Sequence, residues 1–165
     1  MRRIKEFLLS VIMLTEIWLL LTAPFSMQEL IAGLSAAVVI SLLPIGARNV
    51  LGEVRVGPRA VAAAIAYIFV FLGALIRANL DVAFRVLKPS LPISPGIVRI
   101  RTSLRTPLAR TLLANSITLT PGTITVEARE DVLFIHWISV TEGDIEEATQ
   151  KIVGKFERYL EVFLG

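Results

Sequence analysis

The sequence predicts an integral membrane protein: two to three transmembrane helices, then a small α+β domain ordered strand–helix–strand–strand–helix. Three observations carry this. Apolar residues make up 55% of the 165 and mean hydropathy is +0.72, whereas soluble chains use about 45–50% apolar residues. Charges are missing from Phe7–Thr15, Ile17–Gln28, Leu30–Ala47 and Ala60–Ile76. Beyond Ile76 they recur regularly, so the first half is lipid-like and the second reads as a soluble domain. The same composition narrows function. The absence of cysteine excludes disulfides and thiolate-held zinc or iron–sulfur centres. One histidine leaves little material for a metal site or a Ser–His–Asp triad. A net charge of +3 and 7% aromatics give no footprint for nucleic acid. No metal and no cofactor are expected.

Residues 1–86 are expected to hold the membrane helices, at 7–23, 28–46 and 60–84. Phe7–Ala23, broken only by Glu16, reaches the lower end of the about 17–25 residues a span needs. Pro24 stops it, and Ser26–Glu29 reads as a tight connection. The second segment, from Leu30, carries no charge as far as Ala47, and Pro44 and Gly46 end it. Arg2, Arg3 and Lys5 before an apolar run resemble a signal peptide. Glu16 inside that run and the second segment close behind it favour a helical hairpin instead. Small residues mark helix contacts: Gly33 with Ala37, Ala32 with Ala36, and Ala62, Ala66 and Gly73 on one face of the third segment. These faces pack either the three helices together or other subunits. The positive-inside rule puts the N-terminus and the loop Arg48–Arg59 in the cytoplasm. Three full spans would then place Arg85, Lys88, Arg99, Arg101, Arg105 and Arg110 outside. Either the third segment does not cross fully, or the rule fails here.

Residues 87–96 read as a linker broken by Pro89, Pro92 and Pro95, and 97–165 as the α+β domain. Ile97–Arg105 alternates Val98, Ile100, Thr102 and Leu104 against Arg99, Arg101, Ser103 and Arg105, a strand with one wet face. Thr106-Pro107 is an N-cap with proline at the first helical position, and that helix runs to about Ser116. Thr120-Pro121-Gly122 is a turn needing positive φ at the glycine. Thr123–Ala128 is β-branched strand. Val132–Val140, apolar on both faces, belongs in the middle of the sheet. Thr141 with Asp144 caps a last helix whose stripe is Ile145, Ala148, Ile152, Phe156, Tyr159 and Phe163.

Glu16 is the sharpest chemical feature. An ionisable group in mid-span costs about 2.5–3.5 kcal/mol on insertion scales. It therefore serves a proton or cation relay or an intramembrane pair, unless the segment is displaced and Glu16 sits near an interface. Arg77 and Asp81, four apart, suit an ion pair at the membrane edge. Arg99, Arg101 and Arg105 suit either anionic lipid or solvent. His136 lies inside the central strand and reads as a hydrogen-bonded core residue, with Trp137 in the core on the other side. Phosphate loops, Gly-x-Gly-x-x-Gly and nucleophile arrangements are missing, so an enzyme active site is not expected.

The run Ala114-Asn115-Ser116-Ile117-Thr118-Leu119-Thr120-Pro121-Gly122-Thr123, then Val126, then Leu133-Phe134-Ile135-His136-Trp137-Ile138, resembles the E component of the multisubunit monovalent cation/proton antiporters of the Mrp/Mnh type. The likeness extends over essentially the whole chain. It implies an accessory, multi-pass subunit in a prokaryotic plasma membrane, beside larger subunits that carry the ion paths. It also implies membrane-subunit partners and the lipid bilayer, with no catalytic residues. Asn115, Ser116, Thr118, Thr120, Pro121, Gly122, Thr123, His136 and Trp137 stand as its signature. Their first expected role is structural: satisfying helix-end carbonyls and turn amides. Related modules in membrane-bound hydrogenases and sulfur-reducing complexes are the alternative setting. A stand-alone regulatory or lipid-binding module is the second alternative.

Overall fold

The computed structural model describes residues 2–24, 26–43, 52–140 and 153–165. It divides into two compact units, Met1–Val54 and Arg55–Gly165. The first is an antiparallel helical hairpin of α1 (Arg2–Leu21) and α2 (Met27–Leu42). Ser26 caps α2 by accepting the Glu29 amide at 3.3 Å, so the predicted connection at Ser26–Glu29 is already helix after its first residue. The expected end of the second segment, with Pro44 and Gly46, lies outside the described residues.

The second unit holds α3 (Pro58–Leu87), β1 (Gly96–Arg101), α4 (Pro107–Leu119), β2 (Thr123–Arg129), β3 (Val132–Trp137) and α5 (Gly154–Leu164). The sheet is antiparallel with order β1-β3-β2, so β3 is central as its composition requires. Its inner face supplies Ile100, Leu133 and Ile135; α4 adds Ala109, Leu113 and Ile117, and α5 adds Phe156, Leu160 and Leu164. Each large member stabilises the fold by about 1.5–3 kcal/mol.

Among the boundaries that differ from the sequence reading, three follow from particular hydrogen bonds. The alternation predicted to Arg105 continues in burial, but the ladder stops at Arg101 because β3 starts at Val132, its register partner. Beyond it Glu157 accepts both the Thr102 hydroxyl (2.6 Å) and the Ser103 amide. The strand predicted over Val132–Val140 ends at Trp137, after which Ile138 donates to Gly122 and Val140 to Ser94, both at 2.8 Å. Helix α4 runs one turn past Ser116, because threonines satisfy its last carbonyls. The capping pair Thr141–Asp144 and the stripe residues Ile145, Ala148 and Ile152 lie outside the described residues.

The third apolar segment sits in the unit that contains the sheet, whereas its hydropathy alone groups it with the first two at a boundary near residue 86. The reason is packing: Tyr67 of α3 lies among Phe71, Phe156 and Phe163, with ring centroids 6.3, 6.2 and 5.8 Å away. Among the described residues, α3 is the one helix long and apolar enough to cross a bilayer.

Candidate functional site

The hairpin seam is built from small and polar residues. Gly33, Ala37 and Ser41 form the buried stripe of α2, at four-residue steps. A Cβ at Gly33 would collide with the Trp18 indole, so glycine is what allows α1 and α2 to approach. Trp18 Nε1 donates to Glu29 Oε2 at 3.1 Å. The buried polar side chains of α1 are Glu6 and Ser10. Glu16 is exposed on this hairpin. In the sequence Glu16 stands out for its mid-span position, whereas Glu6 lies before the apolar run and carries no such signal.

Helix α3 has two unlike sides. Ala60, Ala63, Tyr67 and Ala74 are buried. On the opposite side Val61, Ile65, Ile68, Leu72, Ile76 and Leu80 stay exposed, at three- and four-residue steps. The predicted small face does not pack within this unit at Gly73, where an added Cβ would meet nothing within 4 Å.

The signature run forms a hydroxyl ladder over the C-terminal end of α4. Ser116 donates to Leu112 O (2.6 Å), Thr118 to Ala114 O (2.9 Å) and Thr120 to Ser116 O (2.8 Å). Thr123 reaches back to Ile117 O (2.6 Å) and Thr120 O (2.8 Å), and Thr118 Oγ1 accepts the Thr125 amide at 3.1 Å. Helix-end carbonyls and a strand amide are thus satisfied by side chains. Gly122 takes φ +88° after Pro121. A Cβ there would stand 2.9 Å from Ile138 Cγ2, so both conformation and space demand glycine. Asn115 lies exposed on α4. His136 is not in the core: it is half-buried on the outer face of β3, in register with the exposed Ile97 and Ile124. The strand's second face carries no covering layer among the described residues, which is why the reading of a fully enclosed strand does not hold there.

Between α3 and this run lies a cleft of about 680 Å³. Thr120, Pro121, Thr123 and Trp137 form one wall; Phe69, Val70, Gly73 and Arg77 form the other, and Lys155 and Phe156 close the end. Asp81 takes Arg85 as its partner, Nε to Oδ2 at 2.7 Å, where the spacing had pointed to Arg77. Arg85 also donates to Pro92 O at 2.7 Å, which draws its guanidinium to that side. Burial, and secondarily the Arg77 guanidinium, hold the Lys155 ammonium below the usual lysine range. The cleft thus unites Arg77, Asp81 and Gly73 with Thr120, Pro121, Thr123 and Trp137 of the signature, and leaves Glu16, Gly33 and Ala37 in the other unit. Neither Lys155 nor Tyr67 stands out in the sequence; the signal for Tyr67 is its hydroxyl within an apolar run.

Among known proteins, residues 11–162 match the family model described as a Na+/H+ ion antiporter subunit, MNHE. The chain is 38% identical over 100 residues to the E component of the Na(+)/H(+) antiporter of Alkalihalophilus pseudofirmus, covering 61% of this chain and 63% of that one. It is 31% identical over 147 residues to the E1 component of the Na(+)/H(+) antiporter of Staphylococcus saprophyticus, covering 89% of each. The chain therefore spans less than two thirds of the first of these relatives and most of the second. A chain in the structure of the membrane-bound sulfane sulfur reductase, an archaeal respiratory membrane complex, superposes with a TM-score of 0.83 at 44% identity, covering 96% of this chain and 98% of that one. With the hydroxyl ladder in place and the family model matched along nearly its whole length, the chain belongs to the MNHE family of Na+/H+ ion antiporter subunits.

Proposed function

We propose that this chain is an accessory membrane subunit of a Na+/H+ antiporter module in a prokaryotic plasma membrane. It holds neighbouring membrane subunits in place and supports cation/proton exchange without carrying the main ion path. The two-sidedness of α3 carries the reading. One stripe is buried on the sheet-containing unit, and the opposite side is bare and apolar. Its length and hydropathy allow a crossing, but laying α3 along the membrane interface with its bare side down keeps the charged unit packed on its other side out of the hydrocarbon. The α1–α2 hairpin then supplies two spans. With two spans, Arg3 and Lys5 and, in the other unit, Arg59, Arg85, Lys88 and Arg99 all belong to the cytoplasmic side of the membrane, as the positive-inside rule asks. The exposed Glu16 is a surface for a neighbouring subunit.

The test is affinity purification of the tagged chain in mild detergent, with the co-purifying membrane proteins identified by mass spectrometry. Large antiporter-like subunits are the expected companions; a folded chain recovered alone sinks the proposal. A second reading, the same subunit inside a respiratory complex, is supported by the likeness to a chain of the sulfane sulfur reductase structure. It predicts redox subunits in the same purification.

A further inference from the structure

We propose that the cleft between α3 and the signature run binds an anionic phospholipid, with the headgroup phosphate held between Arg77 and Lys155 and an acyl chain along Phe69 and Gly73. Charge comes first. Four charged residues line the cleft, and Arg85 already neutralises Asp81 at 2.7 Å. Arg77 and Lys155 have no carboxylate partner among the described residues. Lys155, at the open end of the cleft, lies beside a second cation, so an anion there relieves a repulsion that the described residues leave standing. Thr120 and Thr123 give their hydroxyl protons to backbone carbonyls, so these two are not available as donors.

Shape and position point the same way. The cleft, about 680 Å³, falls within the roughly 300–1,000 Å³ usual for ligand sites. Phe69 lies on its rim and is itself 69% exposed, so the apolar wall runs continuously onto the bare side of α3. At about 100° per residue, Arg77 falls on the flank between the bare and buried sides of that helix. With α3 lying at the bilayer surface, a placement that rests on the function proposed above, that flank is the level of the headgroups. A phosphodiester with an attached chain matches both halves of the cleft; free phosphate matches only one.

The test uses the full chain in phosphatidylcholine vesicles doped with brominated phosphatidylglycerol, reading tryptophan emission. Trp137 lines the cleft and reports occupancy. Wild type is expected to show a saturable quenching component that brominated phosphatidylcholine does not produce and that Trp137→Phe removes. Each of Arg77→Gln and Lys155→Gln is expected to raise the half-saturating lipid fraction about fivefold. The charge-conserving pair Arg77→Lys with Lys155→Arg should restore it, which a merely structural loss would not. Equal quenching by both lipids overturns the phosphate site while leaving α3 at the surface; no quenching of Trp137 by either overturns the surface placement as well. Suppression of the component by millimolar inorganic phosphate overturns the lipid and assigns the cleft to the free anion. Unchanged quenching in the double variant Arg77→Gln with Lys155→Gln, with neighbouring subunits lost on purification, overturns it too and assigns the cleft to a carboxylate of another chain.

Discussion

The phenol of Tyr67 meets the hydroxyl of Ser116 inside the sheet-containing unit, and this hydrogen bond ties α3 to the signature run. Ser116 gives its own proton to Leu112 O at 2.6 Å, so Tyr67 is the donor of the pair. The direction predicts an asymmetry. Tyr67→Phe removes a donor and leaves Ser116 still bonded to Leu112, a loss of about 0.5–1.5 kcal/mol. Ser116→Ala strands a buried phenol and is expected to cost more, about 1–3 kcal/mol. Thermal melts of the two variants in one detergent check this, and a larger loss for Tyr67→Phe would contradict the assigned direction.

Two glycines in apolar helices are predicted to respond with opposite sign. At Gly33 any side chain meets Trp18, so Gly33→Ala should open the hairpin and lower Tm, with a change in Trp18 emission. At Gly73 nothing stands within 4 Å. Gly73→Ala should therefore stabilise the isolated chain by about 0.5–1 kcal/mol, the usual gain in a helix interior. If the Gly73 face seats another subunit, the same substitution lowers recovery of the complex while the chain itself melts higher.

Much of the second unit is legible in the sequence because its signals are local. Thr106-Pro107 announces a helix start, and Thr106 Oγ1 does accept the Ala109 amide at 3.3 Å. Pro121-Gly122 announces positive φ, and Gly122 adopts it. The apolar strand Val132–Trp137 announces a central position, which the sheet order gives it. The cleft is not legible, because its halves come from residues far apart in sequence. Arg77 and Lys155 meet through the packing of α5 on α3, and no spacing rule encodes that. Asp81 has basic residues four away in both directions, Arg77 and Arg85, and the bond from Arg85 to Pro92 O favours the second. His136 reads as a core residue because its neighbours along the strand are apolar; whether the outer face of a sheet is covered depends on elements elsewhere.

Glu16 is exposed on the hairpin, so no partner inside the seam shields it. On the reading that α1 spans the membrane, its carboxyl must face another subunit or water, at a cost of about 2.5–3.5 kcal/mol if it faces lipid. Glu16→Leu should then improve insertion and raise the Tm of the isolated chain while reducing co-purification of neighbouring subunits. Glu16→Gln should preserve assembly and reduce exchange in membrane vesicles if the carboxyl relays a cation. Normal flux in that variant removes the relay role.

The depressed Lys155 pKa has a stability consequence with a definite sign. Between its folded value and the ordinary lysine value of 10.5, the unfolded chain binds the proton and the folded chain does not. Stability therefore rises as pH climbs through that window, and at neutral pH the charge opposes folding. Lys155→Gln should melt higher than wild type at neutral pH in zwitterionic detergent, and the difference should vanish near pH 10.5. Bound anionic lipid, by favouring the charged ammonium, should shrink the difference at neutral pH as well.

Two spans and three spans assign opposite sides to the sheet-containing unit, and introduced cysteines separate them cleanly because the chain has none of its own. Arg3→Cys reports the start of α1, Gln28→Cys the hairpin turn, and Ser90→Cys the segment after α3. With α3 lying along the surface, an impermeant maleimide added to sealed vesicles should label positions 3 and 90 from the same side and position 28 from the other. With α3 crossing, position 90 should label with position 28. The first outcome also explains the basic residues after Phe84: Arg85, Lys88 and Arg99 then share the side of Arg3 and Lys5, and the charge pattern of the whole chain obeys one rule. The second would require α3 to take the unit packed along Ala60, Ala63, Tyr67 and Ala74 into the hydrocarbon, including the exposed Glu161 and the charged Arg158 of α5. Each such charge costs several kcal/mol or must find a partner there.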